Sequence, residues 1–542
     1  MKRKRSRSFV AVIVMAMLLM PALSGLASAQ DSGDRPTLKF ALDAADLASL
    51  DPHQATGTQD RTVVDMVFNG LIRYKPGDST APMEPDLATA IPEPQMENGK
   101  QTWTFDLRKG VMCQAGPQTE AYELTSADVV YSFKKAADPK RSAFSGDYTG
   151  FTAEAVDDHT VKITQDPPLS ANLFLPKVAN YAGGFIVCSK AVDAMGDDAY
   201  KTNPVGTGPF AFKSYTPQTS VELVANDDYF RGKPKLAGVD LRFMPDATSR
   251  ELALQSGDVD AIDGLSQTQW VQKIEQNTDL KADVFGVGEV AFFSFDVTAK
   301  PLDNIKVRQA IAYAINREDH LALYGGPPVA EDVYSVVPSQ FMPGGLTKDE
   351  AKADGVLYEQ NVDKAKELMK EAGFADGFEM KLITSEMDAY RANYEVLQAE
   401  LGKIGIKIDL QVVDHPTMHA EIRKGVNPIT LYVAYRPNAD AYLTQFFQSS
   451  SIVVTGSDPI TNFAHYSAID DLIAKARAET DPETQAKLWQ DANVQILKDV
   501  AAYPLHFQNQ VYARQQYVDY GHDLVASLAL YPQIDETTTM TK

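Results

Sequence analysis

The chain has 542 residues and a formal net charge of −22 at pH 7, with 73 acidic against 51 basic side chains. Nucleic-acid binding needs clustered lysine and arginine, so this charge argues against a nucleic-acid partner and is typical of a well-solvated acidic surface. One hydrophobic core rarely serves more than about 300 residues, so a chain of this length is expected to form at least two lobes.

The first 29 residues have the pattern of a secretory signal peptide. Five basic side chains lie within residues 2–7, an apolar run follows from Phe9 to Leu19, and Ala27-Ser28-Ala29 precedes Gln30. We predict cleavage after Ala29. The apolar run is about half of the ~20 residues that span a bilayer, and no lipidation cysteine lies near it. The exported protein is therefore expected to be free in the periplasm, and removal of five positive charges takes its formal charge from −22 to −27.

The two cysteines, Cys113 and Cys188, are the only ones in the chain. Cysteines of exported proteins tend to be oxidised, and a bridge between these two would close a loop of about 75 residues. We expect a structural disulfide, with two buried free thiols as the alternative. No third or fourth sulfur is available for a metal site.

Short strands and two helices are predicted in the first half of the chain. The strand patterns cover residues 101–107, 151–156, 161–165 and 221–226. Thr125 and Asp128 form a capping-box pattern at the start of a helix that ends before Pro139. Ser249 is predicted to cap a second helix, with Leu252 and Leu254 inward and Gly257 at its end, followed by a strand over 259–263.

Helices and strands alternate in the second half. Helices are predicted to begin at Asp303, with Ile305 inward, and at Asn361. Strand, helix and strand patterns then cover 378–384, 394–401 and 404–413, and a further strand covers 428–432. This alternation predicts an α/β lobe over about 290–505 with parallel strand pairing.

Five segments resemble one protein family in their order and spacing. The segments are Leu50 to His53, Trp103 to Val111 with Leu124 to Phe133, Asn203 to Phe210, Ala253 to Asp263, and Val307 to Glu318. Together they are similar to the extracytoplasmic solute-binding proteins of ABC importers in the peptide, nickel and opine cluster, which is solute-binding protein family 5.

The resemblance implies an α/β fold of the two-lobe periplasmic-binding-protein type, a clamshell with an extra α+β subdomain in the first lobe. Carried onto this chain, the signal peptide is 1–29, the first lobe is 36–80, 203–287 and 507–542, the extra subdomain is 81–202, and the second lobe is 288–506. The lobes of such proteins close on a small molecule or short peptide, which an ABC permease in the inner membrane then receives. A monomeric transport protein without a cofactor or enzymatic activity is expected. A binding protein that serves a sensor and a secreted hydrolase on the same scaffold are the alternatives.

Within the segment from Asn203 to Phe210, two glycines indicate a special backbone. Gly206 and Gly208 allow either a positive φ or a close backbone approach, and the flanking prolines stiffen the turn. We interpret the segment as a turn of the scaffold without ligand contact.

Candidate ligand-binding residues lie in loops between strands and helices, where an α/β lobe exposes donors and side chains. For each of them an ordinary surface loop is the alternative. The candidates are Thr56, Gly57, Tyr390, Arg391, Tyr432, Tyr435, Arg436, Asn438 and Asp440.

The loop after the strand at 428–432 departs from the peptide-binding relatives. Those relatives often have an aspartate that binds the ligand's α-ammonium group, and the corresponding residue here is Tyr435. A neutral phenol lacks the charge that makes such a hydrogen bond strong. Arg391 and Arg436 suit a carboxylate instead, as in an opine, a peptide C-terminus or a small acid, unless both form surface ion pairs. A peptide receptor that uses Asp440 or Asp296 for the ammonium group is the alternative.

His415 and His419 have the spacing that places two imidazoles on one face of a helix. Pro416 favours a helix that starts after His415 and leaves that residue outside as a cap, so the sequence argues against a metal site. No nucleophile motif indicates catalysis.

Overall fold

The computed structural model describes residues 35–541, and the predicted signal peptide lies outside these residues. The strands are β1 Thr37–Leu42, β2 Asn69–Gly70, β3 Ile72–Arg73, β4 Glu84–Pro85, β5 Gln95–Glu97, β6 Lys100–Asp106, β7 Met112–Cys113, β8 Tyr122–Glu123, β9 Phe151–Asp157, β10 Thr160–Gln165, β11 Phe185–Ile186, β12 Phe210–Thr216, β13 Ser220–Ala225, β14 Gly238–Phe243, β15 Ala261–Asp263, β16 Leu280–Phe295, β17 Ala330–Asp332, β18 Phe378–Ser385, β19 Ile406–Val413, β20 Ile429–Ala434, β21 Ala502–Gln515, β22 Val518–Asp519 and β23 Thr539–Met540.

The α-helices follow the same order along the chain. They are α1 Thr58–Val67, α2 Ser126–Ala136, α3 Ala171–Phe174, α4 Ser189–Met195, α5 Asp197–Tyr200, α6 Ala247–Ser256, α7 Thr268–Glu275, α8 Ile305–Ala314, α9 Arg317–Leu321, α10 Lys348–Ala353, α11 Val362–Glu371, α12 Asp388–Gly402, α13 His415–Ile422, α14 Ala439–Phe447, α15 Asp470–Ala478 and α16 Pro482–Lys498. Within residues 35–541, no helix combines the length and the apolar composition needed to cross a bilayer.

Two large apolar cores organise the molecule into two lobes. The first lobe is built on a core from residues 38–261 with Phe285 and the C-terminal segment 512–540, where Tyr512 and Tyr531 take part. The second lobe is built on a core from residues 290–507, which includes Phe292 and Tyr442. The predicted two-lobe α/β architecture is therefore confirmed.

Two long strands connect the lobes. A nine-stranded sheet has the order β12-β13-β14-β1-β15-β21-β16-β20, with β17 also on β21. The pairing of β16 with β21 runs from Leu280 opposite Gln515 to Ser294 opposite Ala502, with a break in register between Phe285 and Glu289. The sheet therefore passes from the first lobe into the second, and the irregular stretch lies at the crossing.

Most predicted strands and several helix caps are confirmed. The four strand patterns of the first half appear as β6, β9, β10 and β13. Thr125 and Asp128 form the predicted capping box of α2, and Asn361 caps α11 by accepting a hydrogen bond from the Lys364 backbone. The predicted parallel pairing is found between β18 and β19, whereas β20 pairs antiparallel with β16.

Two predicted helix starts were wrong. Helix α6 is capped by Asp246, whose carboxylate accepts the backbone N–H of Ser249, so Ser249 lies inside the helix. Leu254 of this helix is fully buried, whereas Leu252 is 59% exposed. The helix predicted to begin at Asp303 begins at Ile305 after an Asn304 cap, which leaves Ile305 at the exposed first turn.

The glycines of the segment from Asn203 to Phe210 are required by close packing. Neither glycine has a positive φ, and a Cβ on Gly206 would lie 2.1 Å from the carbonyl oxygen of Val67. A Cβ on Gly208 would lie 2.5 Å from the Met66 oxygen. The segment therefore runs directly against the end of α1, and the close-approach interpretation applies.

Cys113 and Cys188 form the predicted disulfide, with Cα atoms 5.8 Å apart. The bridge ties β7 to the residue before α4, and both cysteines are fully buried in the first core. Nearby, Lys135 of α2 donates two hydrogen bonds to the carboxylate of Asp51, at 2.6 and 2.9 Å, and neither side chain is exposed.

Candidate functional site

The second lobe contributes the loop after β20, where two neighbouring side chains lack partners. The Tyr435 hydroxyl and the Arg436 Nε are buried and have no hydrogen-bond partner among the described residues. The Arg436 guanidinium lies 4.7 Å from the centre of the Phe446 ring, and its Nη1 donates to the Tyr435 carbonyl at 2.8 Å. Burial lowers the pKa of Arg436. This loop thus presents a desolvated cation and a free phenol.

The first lobe contributes Arg61 from α1. Its Nη1 donates to the Tyr181 hydroxyl at 2.7 Å, while Tyr531 donates to the Arg61 carbonyl at 2.7 Å. The Arg61 Nε is buried without a partner. Among the residues described, neither Arg61 nor Arg436 has a carboxylate within ion-pair distance, although most other buried charges of the chain are paired.

Electrostatic interactions link the two arginines to tyrosines of both lobes. Burial lowers the pKa of Arg436, and Tyr432 and Tyr181 are among the groups that oppose this shift. Burial also acts to lower the pKa of Arg61, but Tyr181 and other hydroxyls outweigh it, so that pKa is raised. Burial beside the Tyr181 and Tyr74 hydroxyls raises the pKa of Tyr435, and Arg61 opposes that rise across the interlobe boundary. A cleft lined by tyrosines and two cations therefore lies between the lobes.

Glu289 is an acid that interacts with Arg436. It follows the irregular stretch of β16 at which the sheet crosses between lobes. The backbone is tight there, because a Cβ on Gly288 would lie 1.8 Å from the Gln508 carbonyl oxygen. Burial raises the pKa of Glu289, while Arg436 opposes the rise. Arg436 therefore has a partly desolvated carboxyl in its electrostatic environment, although not at ion-pair distance.

A pocket with about 230 Å³ of empty space adjoins Tyr181 on the first-lobe side. Tyr74 and Asn180 line one wall, and Leu528 and Gln533 from the C-terminal segment line the other. Asn180 also donates to Asp65, a buried carboxyl whose pKa is raised to about 6 by burial. The C-terminal segment therefore helps to form the cleft.

The remaining candidates of the loop after β20 serve the second lobe itself. Asn438 caps α14 by accepting the backbone N–H of Ala441 at 2.9 Å. Asp440 is bound by the Arg477 guanidinium through three contacts of 2.9–3.1 Å. Asp296, the other proposed partner for a ligand ammonium group, lies 3.3 Å from His465 Nδ1. Both acids of the peptide-receptor alternative are engaged within the protein.

Tyr390 and Tyr432 lie together beside the histidine pair. Tyr390 is 5.2 Å from the His415 ring and Tyr432 is 5.8 Å from the His419 ring, measured between ring centres. The expectation that His415 lies outside the helix was wrong. Asp414 caps α13, so His415 is the first residue of the helix and faces the same side as His419. Burial, His415 and Arg423 lower the pKa of His419 to about 4.

Three candidates lie at a surface or a helix start. Arg391 is 43% exposed on α12, where its Nε is 3.7 Å from Glu395. Thr56 is exposed, and Gly57 is the residue before α1. Of the nine predicted ligand-binding residues, Tyr435 and Arg436 have buried polar atoms without a hydrogen-bond partner in the described chain, and they remain the candidates for ligand contact.

Sequence reasoning missed Arg61, Tyr181, Tyr531 and Glu289. A signal existed for Arg61, since its backbone N–H bonds to the carbonyl of Gly57, a residue already singled out. The tyrosines gave no such signal, because Tyr181 and Tyr531 reach Arg61 from 120 and 470 residues away in the chain.

The comparisons with known proteins agree with this two-lobe arrangement. The family described as bacterial extracellular solute-binding proteins, family 5, middle, matches residues 82–453. The chain belongs to this family. Its members are transport binding proteins, and the match to the family covers most of the length of this chain.

Three relatives illustrate the range of the family. Heme-binding protein A of Haemophilus influenzae is 27% identical over 472 residues, which are 81% of this chain and 81% of that protein. The dipeptide-binding protein of Escherichia coli is 28% identical over 472 residues, with 82% and 84% covered. The solved structure of the solute-binding protein MoaA from A. tumefaciens R10, in complex with mannopinic acid, is 36% identical with a TM-score of 0.78, and covers 94% of this chain and 100% of that one.

Proposed function

We propose that this family 5 protein is the periplasmic receptor of an ABC importer for a small, polar solute that carries a carboxylate. Arg61 and Arg436 bind this carboxylate from opposite lobes. The observation that carries the proposal is a pair of partly buried guanidinium groups whose Nε atoms are buried without a hydrogen-bond partner and that have no carboxylate within ion-pair distance in the described chain.

An unpaired buried cation is costly, because removal of its hydration is not offset by an opposite charge. Two such cations on opposite lobes also repel each other when closure of the lobes brings them together. A carboxylate between them offers bidentate hydrogen bonds to each guanidinium and removes the repulsion. Solute binding and lobe closure are thereby coupled, since the closed form gains most from the anion.

The cleft also suits the rest of a hydroxylated solute. The Tyr435 hydroxyl is without a partner, and the hydroxyls of Tyr74 and Tyr181 lie near it. Phenol groups both donate and accept hydrogen bonds, so they match alcohol groups well. Glu289 provides an acceptor for an ammonium or hydroxyl group. The relative solved with mannopinic acid, an acid, supports this class of solute.

A peptide is the second candidate, favoured by the 28% identity to a dipeptide-binding protein. The main argument against it is that Tyr435 stands where peptide-binding relatives have an ammonium-binding aspartate. Asp440 and Asp296 are already held by Arg477 and His465. Glu289 is then the carboxyl left for a peptide's ammonium group.

Export to the periplasm, a monomeric state and delivery to a permease complete the proposal. The predicted signal peptide and the known transport role of the family support them. A hydrolase on the same scaffold is distinguished by recovering the bound solute: a receptor returns it chemically unchanged.

Native mass spectrometry of protein purified without refolding will give the mass of any retained solute. Calorimetric titration with that solute, or with a panel of opine-type acids, short peptides and their neutral amides, then measures affinity. We expect acids to bind and the corresponding amides to bind at least tenfold more weakly. Equal binding of acids and amides overturns the carboxylate proposal.

Arginine variants test which side chains bind the carboxylate of the solute. Arg61→Gln and Arg436→Gln should each reduce affinity at least tenfold, because each leaves one side of the carboxylate without its charge. Arg391→Gln is the matched comparison, since Arg391 lies at the surface beside Glu395. It should change affinity less than twofold. Loss of affinity in Arg391→Gln alone would move the site to α12.

A further inference from the structure

The histidine pair of α13 forms a small cluster in the second lobe. His415 and His419 begin the helix on one face, and their Nε2 atoms lie 3.1 Å apart. Their rings are nearly perpendicular, with centres separated by 4.5 Å. Both side chains are partly exposed, so solvent reaches the pair.

A second set of contacts supports the His415 ring from behind. The Ser385 oxygen accepts the Met387 backbone N–H at 3.0 Å and lies 3.3 Å from the Glu386 carboxylate. His415 Nδ1 lies 3.0 Å from the same oxygen. In the tautomer that carries its proton on Nδ1, His415 donates to Ser385 and the lone pair of its Nε2 is available to an ion.

This pattern is the one found behind metal-binding histidines. A ligating imidazole donates its other N–H to a carboxylate, carbonyl or similar acceptor, which orients the ring and raises its basicity. Here the acceptor is a serine that is itself bonded to a carboxylate. The rings of Tyr390 and Tyr432 pack against the two imidazoles and restrict their rotation.

We propose that His415 and His419 bind one divalent transition-metal ion through their Nε2 atoms. With metal–nitrogen bonds of about 2.1 Å, the observed separation gives a nitrogen–metal–nitrogen angle of about 95°. That angle fits cis positions of a square-planar or octahedral ion better than a tetrahedral one. Cu²⁺ is the best match, since it prefers tetragonal nitrogen and oxygen sites and binds most tightly among first-row divalent ions.

The remaining coordination positions belong to solvent or to a small ligand. Within residues 35–541, no group of three or more histidine, cysteine or acidic side chains is arranged so that it could hold a metal ion. Arg423 lies on one side, where it donates to the His419 carbonyl at 3.0 Å and weakens cation binding. Glu386 lies behind His415 and offsets this charge. When the ion binds, the proton that His419 Nε2 shares with His415 moves to His419 Nδ1, which has no other partner in the described chain.

The proposal does not rest on the proposed solute site, and its test requires no bound solute. The exported chain without an affinity tag is titrated with Cu²⁺ in the presence of glycine as a competing chelator. We expect one equivalent bound and an electron paramagnetic resonance spectrum with two equatorial nitrogens. Binding of Zn²⁺ in preference to Cu²⁺ at equal concentration overturns the tetragonal assignment.

Variants identify the ligands. His415→Gln and His419→Gln should each weaken Cu²⁺ binding at least thirtyfold, whereas His159→Gln, at a partly exposed histidine of the first lobe, should change it less than twofold. Ser385→Ala should weaken binding by a smaller factor and alter the spectrum, because it frees the His415 ring. Equal binding by the wild type and the double glutamine variant overturns the proposal.

A measurement on the wild type avoids any folding defect of the variants. Diethyl pyrocarbonate modifies free imidazole nitrogens, and peptide mass spectrometry locates the modified histidines. One equivalent of Cu²⁺ should protect His415 and His419 and leave His159 and His522 as reactive as before. Uniform reactivity with and without Cu²⁺ overturns the proposal.

Discussion

Two tyrosine hydroxyls of the second lobe differ in what they do for the folded chain. The Tyr394 hydroxyl accepts the Leu431 backbone N–H at 2.8 Å and donates to the Ile429 carbonyl at 3.1 Å, so it joins α12 to β20. The Tyr435 hydroxyl is equally buried but has no partner. A buried polar group without a partner destabilises the protein unless a ligand supplies the missing contact.

This contrast predicts opposite effects of the same substitution. Tyr435→Phe removes an unsatisfied hydroxyl, so thermal stability should be unchanged or higher, while affinity for the solute should fall about fivefold for one lost hydrogen bond. Tyr394→Phe should lower the free energy of unfolding by about 1–2 kcal/mol and leave affinity within twofold. Denaturant titration and calorimetry on both variants check the prediction. A stability loss in Tyr435→Phe would mean that its hydroxyl has a structural partner.

At the scale of the secondary-structure elements, the disulfide links β7 to the start of α4, two parts of the first lobe that are far apart in the chain. The cysteines are 75 residues apart in sequence, and both lie in the first core. On the loop-entropy model, such a crosslink destabilises the unfolded chain by about 4 kcal/mol. Neither cysteine takes part in the contacts described above for Arg61 and Arg436.

The double variant Cys113→Ala with Cys188→Ala should therefore lose about 4 kcal/mol of unfolding free energy and keep its solute affinity within twofold. Urea titration and calorimetry measure the two quantities. As a control, dithiothreitol during urea unfolding should bring the wild type to the midpoint of the variant and leave the variant unchanged. A loss below about 1 kcal/mol would mean that the crosslink constrains little of the unfolded chain.

The sequence was most informative where one local interaction determines an element. The capping box at Thr125 and the cap at Asn361 act within four residues, and both were predicted correctly. The prediction that Ser249 caps α6 was wrong because two residues able to cap, Asp246 and Ser249, lie three positions apart, and the earlier one forms the cap. The prediction that His415 is a cap was wrong for a related reason. Asp414 takes the capping position, and the helix starts one residue earlier than predicted.

The candidate site was less predictable, because it is assembled from distant parts of the chain. Tyr435 and Arg436 were found from their place after a strand, and Arg61 lies one turn beyond a loop that was recognised. Tyr181 reaches Arg61 only through the folded arrangement of the first lobe. A single sequence contains no local pattern for such a contact, so the cleft required the tertiary structure.

At the scale of the whole molecule, the lobes also meet away from the solute cleft. Ser170, just before α3, donates a hydrogen bond of 2.7 Å to Gln485 of α16, and Asn172 approaches the same oxygen at 3.4 Å. Leu173 packs against the second core, although the segment belongs to the part of the chain that builds the first. Burial lowers the pKa of Lys177, the next cation along this segment, and the carboxylates of Asp147 and of Asp440 in the second lobe oppose that shift. We infer that these contacts form when the lobes close.

If so, Gln485 stabilises the closed form without touching the solute. The apparent affinity of a receptor is its intrinsic affinity multiplied by the fraction that can close, so loss of this contact should weaken solute binding. We predict that Gln485→Ala lowers affinity about fivefold, the equivalent of roughly 1 kcal/mol for one hydrogen bond. Small-angle scattering should show a larger radius of gyration than that of the wild type at the same subsaturating solute concentration.

Gln490→Ala is the matched control, because Gln490 lies on the same helix and bonds only within the second lobe, to the Gly345 carbonyl and Glu350. It should leave both affinity and scattering unchanged while losing a comparable hydrogen bond. Equal effects of the two variants would indicate that the Ser170–Gln485 contact persists in the open form. Closure would then be controlled by the two arginines and the hinge strands alone, since no other contact between these segments would distinguish the two states.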